Sequence, residues 1–345
     1  MGKPLKYYFS PPPTKKKTNE YVNNFYETLS KEVDLVNYNK KAFSRSFDYL
    51  KFSLKSDVMI LNWPEDILHL RFGVIQLFVS YFTFLFFKMK GGKIIWVCHN
   101  KDSHTKKYKP LRILTRKFYT RFADKIIVHS EDALQYLADV KNKVTFLNHP
   151  VYSQSVLHKE INEKSSIDVL IWGKIISYKG LNEFITNYKK YKCTFNVLIT
   201  GEADKQYLKI LQKNASGTNI MVEDNFISEN QLETYFSTCK IILLPYLDSD
   251  TFSSGALIHS INSNKVIIGP HVGNFIDLEK IGACKTYSNN DQLFPLLKKL
   301  LSDDNYYNQV LESVRKGIGN YYENNSWHNF VQHLLEIIRE PNKKQ

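Results

Sequence analysis

Three stretches in the second half of this 345-residue chain place glycine, lysine and hydroxyl side chains where a short apolar run ends. The first is Val169-Leu-Ile-Trp-Gly-Lys174, followed by Tyr178-Lys-Gly180 at the opening of a helical pattern. A glycine after a strand lets backbone approach a ligand closely, and Lys174 and Lys179 can neutralise a diphosphate. The same residues also read as a turn with two solvated lysines. The second stretch, Val197-Leu-Ile-Thr-Gly-Glu-Ala-Asp204, ends on Gly201 and taken alone is an ordinary turn. The third runs Ile241-Ile-Leu-Leu-Pro-Tyr246, then Asp248 to Gly255, then a helix, then Val266-Ile-Ile-Gly-Pro270. Ser253, Ser254 and Gly255 stand where that loop becomes a helix, so free amides and two hydroxyls can meet an anion there. The plainer reading makes Ser253 an N-cap.

The first half offers ring and amide chemistry instead. Asn62-Trp-Pro-Glu65 follows a strand, and Trp63 either stacks on the C–H-rich face of a sugar or packs in a core. Ile94-Ile-Trp-Val-Cys-His-Asn100 delivers His99 and Asn100 to a strand end, with His104 close behind. Imidazole there can donate to a hydroxyl or accept a proton near neutral pH. His149, in Asn148-His-Pro150, is a further strand-end candidate.

The elements that must carry these residues are legible as alternating patterns. Strands are predicted at 5–9, 33–36, 58–61, 94–97, 126–128 and 144–147, and again at 169–172, 195–200, 220–222, 241–245, 266–269 and 283–287. Continuous apolar, β-branched runs of this kind mark parallel strands covered on both faces. Helical spacing falls between them, as in Val22, Phe25, Tyr26 and Leu29 after a cap at Thr18, or Leu181, Phe184, Ile185 and Tyr188. The fold class predicted is α/β: two Rossmann-like, doubly wound parallel-sheet domains facing a cleft, with ligands at the carboxyl ends of the strands. Residues 1–155 form the first domain and 165–325 the second, with a polar link near Val151–Ser166. A last helix within 326–345 carries Trp327, Phe330, Val331, Leu334 and Ile338 on one face and packs back across the domains.

In order and spacing, Gly173-Lys174, Lys179-Gly180, Gly201 and Pro245-Tyr246 resemble the GT-B glycosyltransferases, specifically the group around glycosyltransferase family 4, in a branch of bacterial polysaccharide-assembly enzymes. The second half carries the likeness more closely than the first. It implies a nucleotide-sugar donor held by Gly173, Lys174, Lys179, Gly201, Tyr246, Ser253, Ser254 and Gly255, and matches His99 to a histidine that contacts the donor sugar. The family's two glutamates, with seven residues between them, fall here on Thr251 and His259, which puts donor chemistry and stereochemistry in question. His259 either bonds a ribose hydroxyl or is a satisfied helix histidine. Retention implies front-face attack assisted by the leaving diphosphate. Inversion requires a carboxylate base, for which Glu65, Asp102 and Glu131 are candidates. No metal and no cofactor beyond the co-substrate is expected.

Composition limits the partners. The chain is 43% hydrophobic and 23% charged, with a formal net charge of +13. An anionic partner follows, but no RRM-like, zinc-finger or helix-turn-helix pattern points to nucleic acid. Four separated cysteines and no secretory leader point to the cytoplasm. Between Lys101 and Arg121 stand eight basic residues and one acid, with Leu111, Leu114, Phe118 and Phe122 read as a helix face and Arg112 and Arg116 pointing elsewhere. The apolar segment Phe72–Phe87 is too short to span a bilayer and reads as a buried or interfacial helix. Together they suit docking on an anionic membrane, where a saccharide on a polyprenyl diphosphate would be the acceptor. The alternative is a solvated basic face over a buried helix. A sugar-nucleotide epimerase and an inactive sugar-nucleotide-binding module are the rival functions.

Overall fold

A computed structural model describes residues 3–13, 19–101, 109–152, 166–247 and 252–340. The chain divides into two compact units. One is Met1–Pro150 with Asp250–Ser253 and Asn325–Gln345, and the other is Val151–Ser249 with Ser254–Asn324.

The first unit is built on strands β1 (Lys6–Ser10), β2 (Asp34–Leu35), β3 (Val58–Asn62), β4 (Lys93–Cys98), β5 (Lys125–Val128) and β6 (Val144–Phe146). Helices α1 (Glu20–Glu32), α2 (Arg45–Ser53), α3 (Gly73–Met89), α4 (Lys109–Phe122) and α5 (Glu131–Tyr136) connect them. The sheet order is β2-β1-β3-β4-β5-β6, all parallel, so the winding reverses between β1 and β3. The second unit repeats the plan with β7 (Ile167–Trp172), β8 (Val197–Gly201), β9 (Ile220–Asp224), β10 (Cys239–Leu243), β11 (Val266–Pro270) and β12 (Lys285–Tyr287). Its helices are α6 (Leu181–Lys190), α7 (Lys205–Ala215), α8 (Glu229–Thr238), α9 (Gly255–Ser260), α10 (Gly273–Lys280), α11 (Asn290–Ser302) and α12 (Asp304–Asn324). Its order, β12-β11-β10-β7-β8-β9, is again parallel and reverses between β7 and β10. The twelve-strand pattern expected from apolar runs is therefore present in full. The strands β3, β8 and β11 are buried along their whole length, as two covered faces require. The last helix, α13 (Trp327–Arg339), belongs to the first unit, where the Phe330 ring meets Phe25 of α1 at 5.1 Å.

Two helices differ from their sequence patterns. The cap of α1 is Asn19, whose side chain accepts from the Val22 amide, and Thr18 lies outside the described residues. In α4 the buried residues are Thr115 and Tyr119, while Leu114 is 49% exposed. Hydroxyl bonding explains this roll of the helix: Thr115 joins Tyr81 at 2.9 Å and Tyr119 donates to the Pro64 carbonyl at 3.4 Å. Arg116 turns inward rather than outward, with its guanidinium 4.5 Å from the Tyr136 ring and 5.7 Å from Trp96.

The apolar segment forms α3. Its inner side carries Leu77, Phe84 and Phe87 together with Ser80 and Thr83, whose hydroxyls donate to the carbonyls four residues back at 2.8 Å. Its outer side is apolar as well. Phe84, wholly buried among the rings of Tyr49, Phe118 and Tyr119, and Phe82, 71% exposed, therefore have opposite fates on one helix. Phe84→Ala is expected to lower unfolding free energy by about 3–5 kcal/mol and Phe82→Ala by no more than about 0.5 kcal/mol. Urea unfolding of the two variants checks this, and equal losses would contradict the packing described.

Candidate functional site

In the second unit the winding reversal places the ends of β7 and β10 side by side, the position where doubly wound sheets bind ligands. Gly173 leaves β7 at φ +94°, and a Cβ there would stand 2.8 Å from the Lys179 ammonium. Gly201, at the end of β8, is needed for another close approach, because its Cβ would lie 2.0 Å from the Gly173 carbonyl oxygen. These two glycines let the neighbouring strand ends touch and leave room for Lys179.

Lys179 is only 7% exposed, and no carboxylate pairs with it among the described residues. Its Nζ lies 3.4 Å from the Trp172 carbonyl and 5.7 Å from the centre of the Tyr246 ring. Burial, with a smaller contribution from Lys174, pushes its pKa down to about 8, so it is still a cation at neutral pH. A buried positive charge without a counter-charge is costly, and an anionic ligand would offset that cost. Tyr246 is buried above it, and burial raises its phenol well above the ordinary range.

The start of α9 is arranged differently from the sequence expectation. Ser254, not Ser253, is the N-cap, accepting from the Leu257 amide at 3.1 Å. The same hydroxyl lies 3.0 Å from the Tyr246 hydroxyl, and the Ser254 amide donates to Asn274. Ser254 is thus buried and engaged in holding the loop rather than free to meet a ligand. The helix is six residues long, so its dipole is small, while Gly255 is exposed. His259 lies between Tyr152, at 5.1 Å, and Trp172, at 5.5 Å. Thr251 and Asp248 lie outside the described residues.

In the first unit the strand ends bring together a group of rings. His99 follows β4 and stacks on Trp63 at 4.1 Å, with the planes 16° apart. Its Nε2 lies 3.2 Å from Asn62 Oδ1, and Asn62 is oriented by donating its amide to the Ser10 carbonyl. That network assigns the proton to Nε2 and leaves Nδ1 as the basic nitrogen. His129 follows β5 in the same way, bonded at 2.8 Å to both the Leu147 carbonyl and the Tyr21 hydroxyl. His149 completes the group, its Nδ1 donating to the Pro150 carbonyl at 2.8 Å. Tyr21 touches all three rings at 4.9 to 5.6 Å. Trp63 sits in the left-handed region at φ 46° and is half-buried, and its carbonyl accepts from Arg45.

Sequence reading named His99, Trp63 and His149 but missed Tyr21 and His129. The signal for His129 was its place directly after an apolar strand, the same place His99 holds. Asn100 is half-buried, and its carbonyl accepts from Arg116. His104 and Asp102 lie outside the described residues. Glu65 is 7% exposed, and neither of its carboxyl oxygens bonds to another described residue. Burial and Asp66 push its pKa up to about 8, so it is neutral at pH 7.

No protein-family model matches this sequence, and no curated protein does. Solved structures match in fold. HepE of Anabaena, in complex with UDP and glucose, aligns over 97% of this chain and 99% of its own with a TM-score of 0.70 and 10% identity. Sucrose-phosphate synthase of Thermosynechococcus elongatus aligns over 97% of this chain and 98% of its own with a TM-score of 0.70 and 11% identity. A glycosyltransferase of Rickettsia africae aligns over 99% of this chain and 100% of its own with a TM-score of 0.67 and 12% identity. The fold is GT-B, the two parallel six-stranded sheets with flanking helices that these glycosyltransferases share.

Two expectations follow from the buried charges. Burial lowers the pKa of His129 to about 4 and of His149 to about 3, against about 6.5 for an unfolded histidine. Below about pH 6.5 the unfolded chain takes up protons that the folded one refuses, so stability falls with pH towards about 4. The thermal midpoint should therefore drop between pH 7 and 4.5, less steeply in His149→Gln. A flat profile in the unaltered protein would mean that the rings are not held neutral. Lys179→Met removes a buried charge that no described carboxylate pairs with, and should leave stability unchanged or raise it by up to about 3 kcal/mol, read by calorimetry. A clear loss would show that the ammonium is paired.

Proposed function

We propose that this protein transfers a sugar from a nucleoside-diphosphate sugar to a saccharide acceptor, carried on a polyprenyl diphosphate, in surface or exopolysaccharide assembly. The observation that carries the donor half of this reading is Lys179, a buried cation at the β7/β10 reversal with no carboxylate partner among the described residues. A diphosphate supplies the missing counter-charge, with Lys174 on the same loop and Gly173 admitting it closely. UDP and UDP-glucose are the ligands bound by HepE, which shares the fold, and that favours a nucleotide sugar over other diphosphates.

In the retaining mechanism implied by the resemblance to family 4, the bond from the anomeric carbon to the diphosphate oxygen breaks, and its electron pair leaves with the diphosphate. The acceptor hydroxyl attacks the same face, and its proton passes to a diphosphate oxygen. Lys174 and Lys179 stabilise the charge that develops. His99 is assigned a hydrogen bond to the donor sugar through Nδ1, and His259 one to the ribose. Trp63, Asn100 and His149 belong to the acceptor side. The reading requires no metal, and it places the enzyme in the cytoplasm at the inner leaflet of the membrane.

Release of nucleotide from a panel of UDP-, GDP- and dTDP-sugars tests the reaction, with a lipid-linked saccharide as acceptor. Turnover should persist in EDTA. Lys179→Met should lower kcat/KM by roughly 100-fold or more while the protein stays folded. Binding without release, acceptor present, would favour the inactive module, and interconversion of the donor sugar without transfer would favour an epimerase.

A further inference from the structure

The outer side of α3 is a stripe of exposed apolar residues. Ile75, Phe78, Phe82 and Phe86 follow one another at helical spacing and are 41 to 71% exposed. Phe43 and Phe47, 85% and 51% exposed, extend the surface from α2, and their rings meet at 6.2 Å. The two helices are fastened together by Gln76, whose Oε1 accepts from both the Ser44 and Ser46 hydroxyls. A soluble protein rarely leaves so continuous an aromatic surface in water. The inner side of α3 holds Leu77, Phe84 and Phe87 with Ser80 and Thr83, whose hydroxyls are satisfied within the helix, so apolar residues occupy both sides of it.

The charges around this surface are mostly positive. Within residues 40–56 and 71–92 the only acid is Asp48, which is buried and accepts from the Phe43 amide at 3.0 Å. Arg71 and Lys90, both exposed, lie over the rings of Phe72 and Phe86 at 5.0 and 5.7 Å, apolar stems along the surface and charges at its margin. At the carboxyl end of α3 a cavity of about 550 Å³ is lined by Lys3, Lys6, Lys40, Lys55 and Lys90 against Asp34 and Asp57. Nothing in this arrangement suits a basic protein such as a second copy of this chain, which carries the same charges. An aromatic face bordered by cations, beside a lysine-lined cavity wide enough for a phosphate headgroup, suits an anionic lipid surface.

We infer that the outer faces of α2 and α3 seat this protein on an anionic bilayer, with Phe78 and Phe82 among the acyl chains and Lys55 and Lys90 at lipid phosphates. No helix among the described residues is long and apolar enough to cross a membrane, so the contact is interfacial. The inference deepens the lipid-linked part of the proposed function, rests on that part for its purpose, and keeps the apolar segment of α3 in the contact while putting α2 in place of the basic helix α4.

Flotation of the full-length protein tests it with phosphatidylcholine vesicles and with vesicles that also contain phosphatidylglycerol. The unaltered protein should float with the anionic vesicles and far less with the neutral ones. Phe78→Ser with Phe82→Ser should weaken partition by roughly tenfold or more. Lys55→Glu with Lys90→Glu should abolish the preference for phosphatidylglycerol and the loss of binding in salt. Phe82→Trp should show a blue-shifted emission quenched by brominated lipid. The inference is overturned if the serine variant floats as well as the unaltered protein, or if the unaltered protein binds neither vesicle. It is also overturned if sedimentation shows a dimer that the serine variant alone loses. UDP binding by calorimetry is read in parallel. Retained UDP binding with no flotation would sink the membrane face alone, whereas flotation without UDP binding would sink the transferase reading alone.

Discussion

Parallel pairing constrains everything else in this molecule. When every strand of a sheet runs the same way, the residue after each strand emerges at the same edge, and the reversal of winding opens a gap there. Side chains far apart in sequence become neighbours without any of them having to reach. Asn62, His99, His129 and His149 are gathered this way from four successive strand ends in the first unit. Trp172, Gly201 and Pro245 are gathered the same way in the second. The helices have a subordinate task, to cover the faces so that the continuous apolar strands stay dry.

The two units use burial in opposite electrostatic senses. The histidines and Glu65 of the first are held neutral, which makes that strand edge a surface of hydrogen-bonding rings rather than of charge. The second keeps Lys179 charged at neutral pH despite its burial, with no carboxylate beside it among the described residues. A neutral, ring-lined edge suits hydroxyl-rich ligands and a cationic one suits phosphates, the two chemistries that sugar transfer from a nucleotide combines.

The strands were legible because a doubly covered strand has to be apolar along its length, and such runs as Val58–Leu61 or Val266–Gly269 have few other uses. Helix faces were less so. Leu114 looked like a core residue and is exposed, because apolar spacing cannot reveal that Thr115 and Tyr119 would find hydroxyl partners inside. The apolar segment around α3 has so little polar contrast that its sequence does not say which side faces in. In the loop before α9, adjacent serines left the cap ambiguous by one residue, and only the bond from Leu257 decides for Ser254. Glu65 stands among the candidate bases because its loop follows a strand, whereas that loop is a short helical turn in which Pro64, Glu65, Ile67 and Leu68 are all buried.

The position of α13 has a consequence for synthesis. This helix belongs to the first unit, where its Phe330 packs on Phe25, yet it follows the whole of the second unit in the chain. On the ribosome the first unit is translated early but lacks this helix until the second is finished. Until then the apolar side of α1, with Tyr21 and Phe25, has no cover from α13, and the neighbourhood of His129 is open to water. The ring cluster that holds His99 is therefore completed only at the end of translation, so a chain stopped before Trp327 would carry a full second unit beside an unfinished first one.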